Sequence, residues 1–381
     1  MKILFFQWNS FMNCGIERAL RHIGTDYDVF YYQPDDWEED EILSGKLETK
    51  LKGHAYALLL SVNYSPVLSN VCEALSVHYL AWIYDSPMHI RNLSGLNHAY
   101  THAFLFDRGM AEEYKKWGYQ ISHMPLASDA ADFANSLRQS ASDLCDVSLL
   151  GKLYKTEYKE YISLLPEELQ GYLNGMLAAQ SKLYGVYLFG DMLTEELMAK
   201  INEAYRQYFQ GKFEMGKREL EFMMSCEATG RERYTLLALL ARHFSVKLYS
   251  GDGQYPEGVQ YHGYADYYTQ MPAVFYGSKI NLNISLKAIR TGIPLRVLDI
   301  MACGGFVLTN YQEEIAEFLE PGKDCAVYAS LEDAYAQAKY YLEHESERRK
   351  IVENGREKVK RDFTYEDRLS RMFSAIKSGK G

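Results

Sequence analysis

The sequence predicts an α/β protein with two domains, each built on a parallel β-sheet. The chain has 381 residues, which is long enough for two domains that each bury a core of their own. Short apolar segments recur along the chain and alternate with stretches of helical periodicity. Those of the N-terminal half end in polar residues, as expected where the carboxyl ends of parallel strands border a ligand crevice.

Composition narrows the functional class. Apolar residues make up 47% of the chain and charged residues 24%, which are ordinary values for a folded protein. The net charge of −10 argues against binding the phosphate backbone of nucleic acids. The six cysteines are widely spaced and form no C-x-x-C pair, so they predict neither a zinc site nor a disulfide framework. With no signal peptide and no apolar run of membrane-spanning length, we expect a cytoplasmic protein.

Residues 1–140 are predicted to form the first domain. The predicted strands are 2–8, 29–32, 57–62, 78–83 and 103–106, with a helix at 16–23. No G-x-G-x-x-G motif follows the first strand, so the dinucleotide-binding fingerprint is absent there. The acidic run 35–41 is predicted to be a solvated loop that leads into a helix. The small, polar segment 127–143 is predicted to be the interdomain linker.

Residues 141–362 are predicted to form the second domain, with a helical insertion at about 158–244. The predicted strands are 147–151, 246–249, 279–284, 306–308 and 325–328. The predicted helices include 192–209, 218–244, 266–275, 331–344 and 347–359, with a loop at 310–314. A last helix, within 363–377, carries an apolar stripe at helical spacing.

Residues 278–310 are the most informative stretch, and they predict a strand, a loop, a helix and a second strand. Pro294 suits the first helical position, because its missing N–H would have no partner there. Arg296 and Asp299 then fall on one face near the start of the helix. The amides and dipole at such a position favour a phosphate, which Arg296 can bind, while Asp299 can accept from a ribose hydroxyl. A surface ion pair is the alternative interpretation of this spacing.

The helix sequence R-V-L-D-I-M-A-C-G-G-F-V-L-T-N is similar to the donor-binding signature of GT-B glycosyltransferases, most closely of the CgeB-like (spore-maturation) group. In the N-terminal half, four motifs resemble the uncharacterised domain that precedes the CgeB-like domain in bacterial proteins. They are SVNYSP (61–66), WIYDSP (82–87), FLFDR (104–108) and MPLA (124–127). The broader retaining families carry two glutamates separated by seven residues. Asp299 matches the second and Thr291 stands at the first, so that motif is half present.

The resemblance implies the GT-B fold, in which two Rossmann-like domains face each other across a cleft and the C-terminal helix crosses back to the N-terminal domain. It implies transfer of a sugar from a nucleotide-sugar, a UDP-sugar, to an acceptor such as a protein or a cell-surface glycan. No metal and no other cofactor is expected. The expected donor-binding residues are Lys152, Tyr264, Arg290, Gly292, Pro294, Arg296 and Asp299.

If the reaction inverts the sugar, Asp85 is the predicted catalytic base, because it follows a strand and a carboxylate there can take the proton of an attacking hydroxyl. Asp107 and His89 are competing candidates. The alternative for Asp85 is a capping bond within its own turn, and for Lys152 an ordinary exposed lysine. Two other functions fit the same resemblance, a nucleotide-sugar epimerase and a non-catalytic spore or cell-surface binding protein.

Overall fold

The computed structural model describes residues 2–129, 133 and 145–378. The chain divides into two compact units. Unit 1 comprises Met1–Ala131, Thr291–Asp299 and Lys358–Gly381, and unit 2 comprises Asp132–Arg290 and Ile300–Glu357. Most of the predicted linker at 127–143 lies outside the described residues.

The described part of unit 1 contains a six-stranded sheet with the order β2-β1-β3-β4-β5-β6, in which every neighbouring pair is parallel. Its strands are β1 (Lys2–Gln7), β2 (Asp26–Tyr31), β3 (Leu58–Val62), β4 (His78–Ile83), β5 (Thr101–Leu105) and β6 (Ser122–His123). The central strands β3 and β5 are buried along their whole length, although β5 begins with Thr101 and His102, ahead of the apolar segment predicted from residue 103. The direction in which the chain crosses the sheet reverses at β1, which has β2 on one side and β3 on the other.

Helices connect these strands. They are α1 (Asn13–His22), α2 (Glu41–Lys52), α3 (Pro66–Leu75) and α4 (Arg108–Lys116), with a short 3-10 helix at Ser94–Asn97. Three of them begin at a side chain that accepts a hydrogen bond from an amide of the first turn: Asp40 for α2, Ser65 for α3 and Asp107 for α4. The predicted helix start after the acidic run 35–41 is therefore confirmed.

The described part of unit 2 contains a second six-stranded parallel sheet, with the order β12-β11-β10-β7-β8-β9. Its strands are β7 (Cys145–Leu150), β8 (Val246–Tyr249), β9 (Gln260–Tyr261), β10 (Ser278–Asn283), β11 (Val307–Asn310) and β12 (Ala326–Tyr328). The chain reverses its direction across this sheet at β7, which lies between β8 and β10. The predicted α/β fold with two parallel sheets is confirmed.

Five helices lie between β7 and β8: α5 (Tyr158–Ile162), α6 (Glu167–Gln180), α7 (Phe189–Met192), α8 (Glu195–Tyr208) and α9 (Lys217–Ala241). They build a hydrophobic core of their own, which includes Tyr158, Leu177, Phe189 and Tyr205. The long α9 also reaches the core of the sheet, where Leu236, Leu237 and Leu240 pack with strand residues such as Val147.

The remaining helices follow β9. They are α10 (Met271–Gly277), α11 (Leu295–Ala302), α12 (Glu313–Phe318), α13 (Leu331–Glu343), α14 (Glu345–Asp362) and α15 (Tyr365–Lys377). The predicted loop at 310–314 ends earlier than expected, because the two glutamates at 313 and 314 start α12. The helix predicted from 266 begins only at Met271, since the Asp266 carboxylate accepts from the amides of Tyr268 and Thr269 and forms a turn.

The last helix packs within unit 1. An added Cβ on Gly15 would lie 2.3 Å from the ring of Tyr365, so α1 needs a glycine where the first residue of α15 lies against it. Tyr365 also meets Trp82 of β4 edge-to-face at 5.7 Å, and the amide of Ser128 donates to the carbonyl of Phe363. The C-terminal helix therefore returns to the N-terminal sheet, as predicted. In the described part of the chain, no helix combines the length and the hydropathy that a membrane span requires.

Candidate functional site: two strand-end clusters

A cavity of about 350 Å³ lies at the carboxyl ends of β1, β3 and β4 in unit 1. Trp8 follows β1, Asn63 follows β3, and Tyr84 and Asp85 follow β4, and all four residues line the cavity. The chain reverses its direction across the sheet between β1 and β3, and open parallel sheets bind ligands at such reversal points. The cavity is therefore the candidate site of unit 1.

Asn63 fixes the position of Asp85. Its amide nitrogen donates to Oδ2 of Asp85 at 2.7 Å, while its own oxygen accepts from the amides of Tyr84 and Asp85 at 3.0 and 3.3 Å. Asn63 has φ 63°, a left-handed conformation that asparagine tolerates better than most residues. The SVNYSP and WIYDSP motifs therefore meet through these two side chains.

The environment of Asp85 suits a proton acceptor. Burial raises the pKa of the Asp85 carboxyl, and the charge of His89 and the hydrogen bond from Asn63 offset part of that rise. A carboxylate with a raised pKa is a stronger base than an ordinary aspartate, provided that it is ionised at the working pH. His89, one of its competitors, is exposed and lines the same cavity.

Asp107 has a different environment. It is fully buried, and it is not among the described residues that line the cavity. Its Oδ2 accepts from the Ser86 hydroxyl at 2.7 Å, and its Oδ1 accepts from the amides of Thr291 and Gly292 at 3.0 and 3.3 Å and caps α4. These bonds occupy both oxygens, so the geometry favours Asp85 over Asp107 as the base.

The segment 291–299 also belongs to unit 1, and it carries four of the predicted donor-binding residues. An added Cβ on Gly292 would lie 2.8 Å from the Cα of Asp107, so the close approach of the two backbones requires glycine. Asp299 is 2% exposed, and it accepts from the Ser128 hydroxyl at 2.6 Å. Pro294 and Arg296 are half-buried. The donor-binding roles of these four residues stay predictions.

The second cluster lies in unit 2, where β7 and β10 are neighbours and the chain reverses its direction. Lys152 follows β7 and its side chain is exposed, and Ile284 follows β10. Arg233 of α9 joins the two loops. It is 8% exposed, its Nη1 donates to the carbonyl of Lys152, and its Nε donates to the carbonyl of Ile284 at 3.2 Å. One buried guanidinium therefore joins the loop that carries the predicted phosphate-binding lysine to the loop after β10.

Neighbouring residues of α9 strengthen this arrangement. An added Cβ on Gly230 would lie 2.5 Å from the carbonyl oxygen of Leu153, so the close contact between α9 and the loop after β7 requires a glycine at this position. The Thr229 hydroxyl accepts from the amide of Lys287 at 2.9 Å, and Glu232 forms a 2.8 Å ion pair with the ammonium of Lys287. Glu232 and Lys287 are 2% and 7% exposed along their side chains.

Sequence reasoning missed Thr229, Gly230, Glu232 and Arg233. A sequence signal did exist, because a Thr-Gly pair weakens a helix interior, and a glycine within a helical pattern points to close packing against another segment. The other two predicted donor-binding residues of unit 2 have separate surroundings. Arg290 lies 3.3 Å from the centre of the Tyr187 ring, and Tyr264 is 69% exposed. Among the residues that the structure describes, no three His, Cys, Asp or Glu side chains gather as metal ligands.

The fold matches solved glycosyltransferase structures along its whole length. HepE of Anabaena, solved in complex with UDP-glucose, is 11% identical with a TM-score of 0.53, over 99% of this chain and 100% of that one. A glycosyltransferase from Rickettsia africae ESF-5 is 10% identical with a TM-score of 0.54, over 99% of this chain and 98% of that one. A sucrose-phosphate synthase from Thermosynechococcus elongatus is 13% identical with a TM-score of 0.54, over 99% of this chain and 98% of that one. The fold is GT-B.

The sequence comparisons cover less of the chain. Residues 231–374 match a family model described as glycosyl transferase-like, and the match begins two residues before Arg233 and extends into α15. An uncharacterised protein of Aquifex aeolicus (strain VF5) is 28% identical over 112 residues, which are 29% of this chain and 28% of that relative. The chain thus spans little more than a quarter of this curated relative. A GT-B fold with a glycosyl transferase-like C-terminal part is what the comparisons establish.

Proposed function

We propose that this protein is a CgeB-like glycosyltransferase that moves a sugar from a UDP-sugar to an acceptor hydroxyl without a bound metal. The observation that carries the proposal is the glycosyl transferase-like match of residues 231–374 on a GT-B fold. The choice of a UDP-sugar is supported by HepE, whose structure holds UDP-glucose. The four N-terminal motifs and the RVLDIMACGGFVLTN sequence support the CgeB-like group.

The donor side of the proposed reaction needs positive charge for the departing diphosphate. Lys152 supplies a cation at the carboxyl end of β7, in a loop that the buried Arg233 holds in place. Arg296, in the first turn of α11, supplies a guanidinium that can bind phosphate oxygens in pairs. Groups that are fixed before the reaction stabilise the developing charge at little cost in reorganisation.

The acceptor side needs a base, and we assign that role to Asp85. The acceptor oxygen attacks the anomeric carbon, the bond from that carbon to the diphosphate oxygen breaks, and UDP leaves with the bonding electrons. The Asp85 carboxylate takes the proton of the attacking hydroxyl. This scheme inverts the anomeric configuration, and it agrees with the presence of Thr291 where retaining families carry their first glutamate.

Calorimetry with UDP and UDP-sugars, followed by measurement of UDP release with and without acceptors, tests the proposal. A transferase binds the donor and releases UDP faster when the acceptor is present. Donor isomerisation without an acceptor would instead indicate an epimerase, and donor binding without any turnover a binding protein. If no nucleotide-sugar binds, the proposal is wrong.

Asp85→Asn tests the assignment of the base. The amide keeps the shape of the side chain but is too weak a base, so the transfer rate should fall by roughly 10²–10⁴ with donor affinity unchanged. The folded-state pKa of Asp85 is raised, so its ionisation costs stability as the pH rises through that pKa, and the neutral variant should be no less stable at pH 7. Asp26→Asn, at an exposed position in β2, is the control and should behave like the parent. A retained rate in Asp85→Asn would contradict the assignment.

A further inference from the structure

The unit 1 cavity has more aromatic surface than proton transfer requires. The rings of Trp8 and Trp37 meet edge-to-face, with centroids 5.0 Å apart and planes at 80°. The Tyr84 ring is nearly parallel to Trp8, at 21° and 6.5 Å. All three rings line the cavity and are half-buried, so part of each remains open to a ligand.

The polar atom of the Trp8 ring is already used. Its indole N–H donates to the carbonyl of Val62 at 2.8 Å, which fixes the ring by its edge and leaves its faces for apolar contact. The indole therefore serves as a flat apolar wall.

Hydrogen-bonding side chains line the same cavity. The second amide hydrogen of Asn63 can donate, the Asp85 carboxylate accepts, and His89 has one nitrogen of each kind when neutral. A hexopyranose has matching surfaces, with flat faces of C–H groups and a rim of hydroxyls. The volume of about 350 Å³ lies at the small end of the roughly 300–1000 Å³ of ligand pockets, which suits one or two sugar rings.

The two walls of the cavity are joined. The Glu38 carboxylate accepts from the amides of Arg91 and Asn92 at 3.0 and 2.9 Å. Glu38 neighbours Trp37, and the two amides follow His89 closely in the chain, so the bonds connect the loop of one wall to the loop of the other. A cavity held in this way loses little conformational entropy when it binds a small rigid ligand.

From this combination we infer that the acceptor is a saccharide, bound in the unit 1 cavity with a ring face against Trp8 or Trp37 and a hydroxyl directed to Asp85. The inference rests on the proposed function and specifies its acceptor class. It favours a glycan over a protein surface as the acceptor.

Saccharide binding can be measured without any donor. Saturation-transfer NMR and calorimetry with methyl glucopyranosides, methyl galactopyranosides, maltose and cellobiose test the full chain directly. In Trp37→Ala, the saccharide concentration at half-saturation, and the acceptor KM in the transfer assay, should rise by roughly tenfold or more. The Kd for UDP should stay within about twofold of the parent.

Trp117→Ala is the matched control. Trp117 also belongs to unit 1, is 47% exposed, and lies outside the set of described residues that line the cavity. It should leave saccharide and UDP affinity unchanged. Trp8→Phe keeps an aromatic face and loses the bond to Val62, so its affinity for saccharides should lie between those of the parent and Trp37→Ala. It provides the test if Trp37→Ala does not fold.

The outcomes separate this inference from the proposed function. If the parent transfers sugar to peptide or lipid acceptors and none of the saccharides binds, the inference is wrong and the transferase proposal stands. If saccharides bind equally to the parent and to the folded Trp37→Ala and Trp8→Phe variants, the site is elsewhere and the inference is also wrong. If saccharides bind in a Trp37-dependent way but no nucleotide-sugar binds, the cavity is a sugar site and the transferase proposal is wrong.

Discussion

Replacing Arg233 by methionine tests whether α9 holds the two strand-end loops of unit 2. Methionine retains much of the apolar volume of arginine but has no donor, so the carbonyls of Lys152 and Ile284 lose their bonds to the guanidinium. A hydrogen bond to a charged group contributes about 1.5–3 kcal/mol, so two carbonyls correspond to about 3–6 kcal/mol. Burying the charged arginine also costs hydration free energy, and the variant avoids this cost. The free energy of unfolding of Arg233→Met should therefore be about 2–4 kcal/mol lower than that of the parent.

The distribution of tryptophan allows this loss to be assigned to one unit. All four tryptophans, at positions 8, 37, 82 and 117, belong to unit 1. In urea denaturation of Arg233→Met, the unfolding transition followed by far-UV circular dichroism should therefore have a midpoint at a lower urea concentration than in the parent. The transition followed by tryptophan fluorescence should keep a midpoint near that of the parent. Because the Lys152 loop is the proposed phosphate contact, the affinity for UDP should fall as well.

Arg231→Met is the matched control. Arg231 is on the same helix two residues earlier, is 44% exposed and forms a 2.8 Å ion pair with Glu227. Its replacement should cost at most about 1 kcal/mol and leave UDP binding unchanged. The stability and UDP affinity of Arg233→Lys should lie between those of the parent and Arg233→Met, because one ammonium cannot reproduce the fork of a guanidinium. If Arg233→Met is as stable as Arg231→Met and binds UDP as the parent does, Arg233 does not hold the loops.

Four further outcomes are expected. Asn63→Gly preserves the left-handed backbone but removes a bond that lowers the pKa of Asp85, so the acid limb of the rate–pH profile should move to higher pH; an unmoved limb would argue against Asp85 as the base. Asp299→Ala should weaken UDP binding more than Ser128→Ala, whereas equal effects would mean that Asp299 acts only through its bond to Ser128. Arg296→Ala should weaken UDP binding by roughly tenfold or more, and unchanged affinity in a folded variant would remove it from the site. Activity should persist in EDTA, and a rate restored only by Mn²⁺ or Mg²⁺ would overturn the metal-independent mechanism.

Most strands of both units could be predicted because a buried parallel strand carries a short apolar segment, and the strand at 279–284 because its apolar residues alternate with asparagines. β4 at His78–Ile83 and β8 at Val246–Tyr249 have the predicted bounds. The edge strands β6 and β9 were not predicted. Each has only two residues, none of them buried, so neither carries the apolar pattern on which the prediction depends.

The network around α9 could not be predicted, because its residues look like ordinary helical surface in the sequence. Glu232 and Arg233 are charged and adjacent, and they lie in a helix that also carries the exposed Arg218 and Arg231. Arg233 is buried where loops 81 and 51 positions away in the chain return to it. Glu232 is buried where Lys287, Tyr184 and Tyr328 contact it. Helical periodicity describes a single segment and contains no information on which distant loop will cover it.

Asp85 and Asp107 show the same limit at the candidate site. Both follow a strand within two residues, and both come before a turn or a helix, so their positions in the sequence predict equivalent places at the edge of one sheet. They differ because the segment at 291–292 returns from 184 positions away and donates its amides to Asp107. The Asp107 carboxylate holds two segments of unit 1 together, whereas the Asp85 carboxylate lines the cavity, where the side-chain amide of Asn63 donates to it. Whether a carboxylate at a strand end can act as a base therefore depends on which hydrogen-bond donors the rest of the chain brings to it.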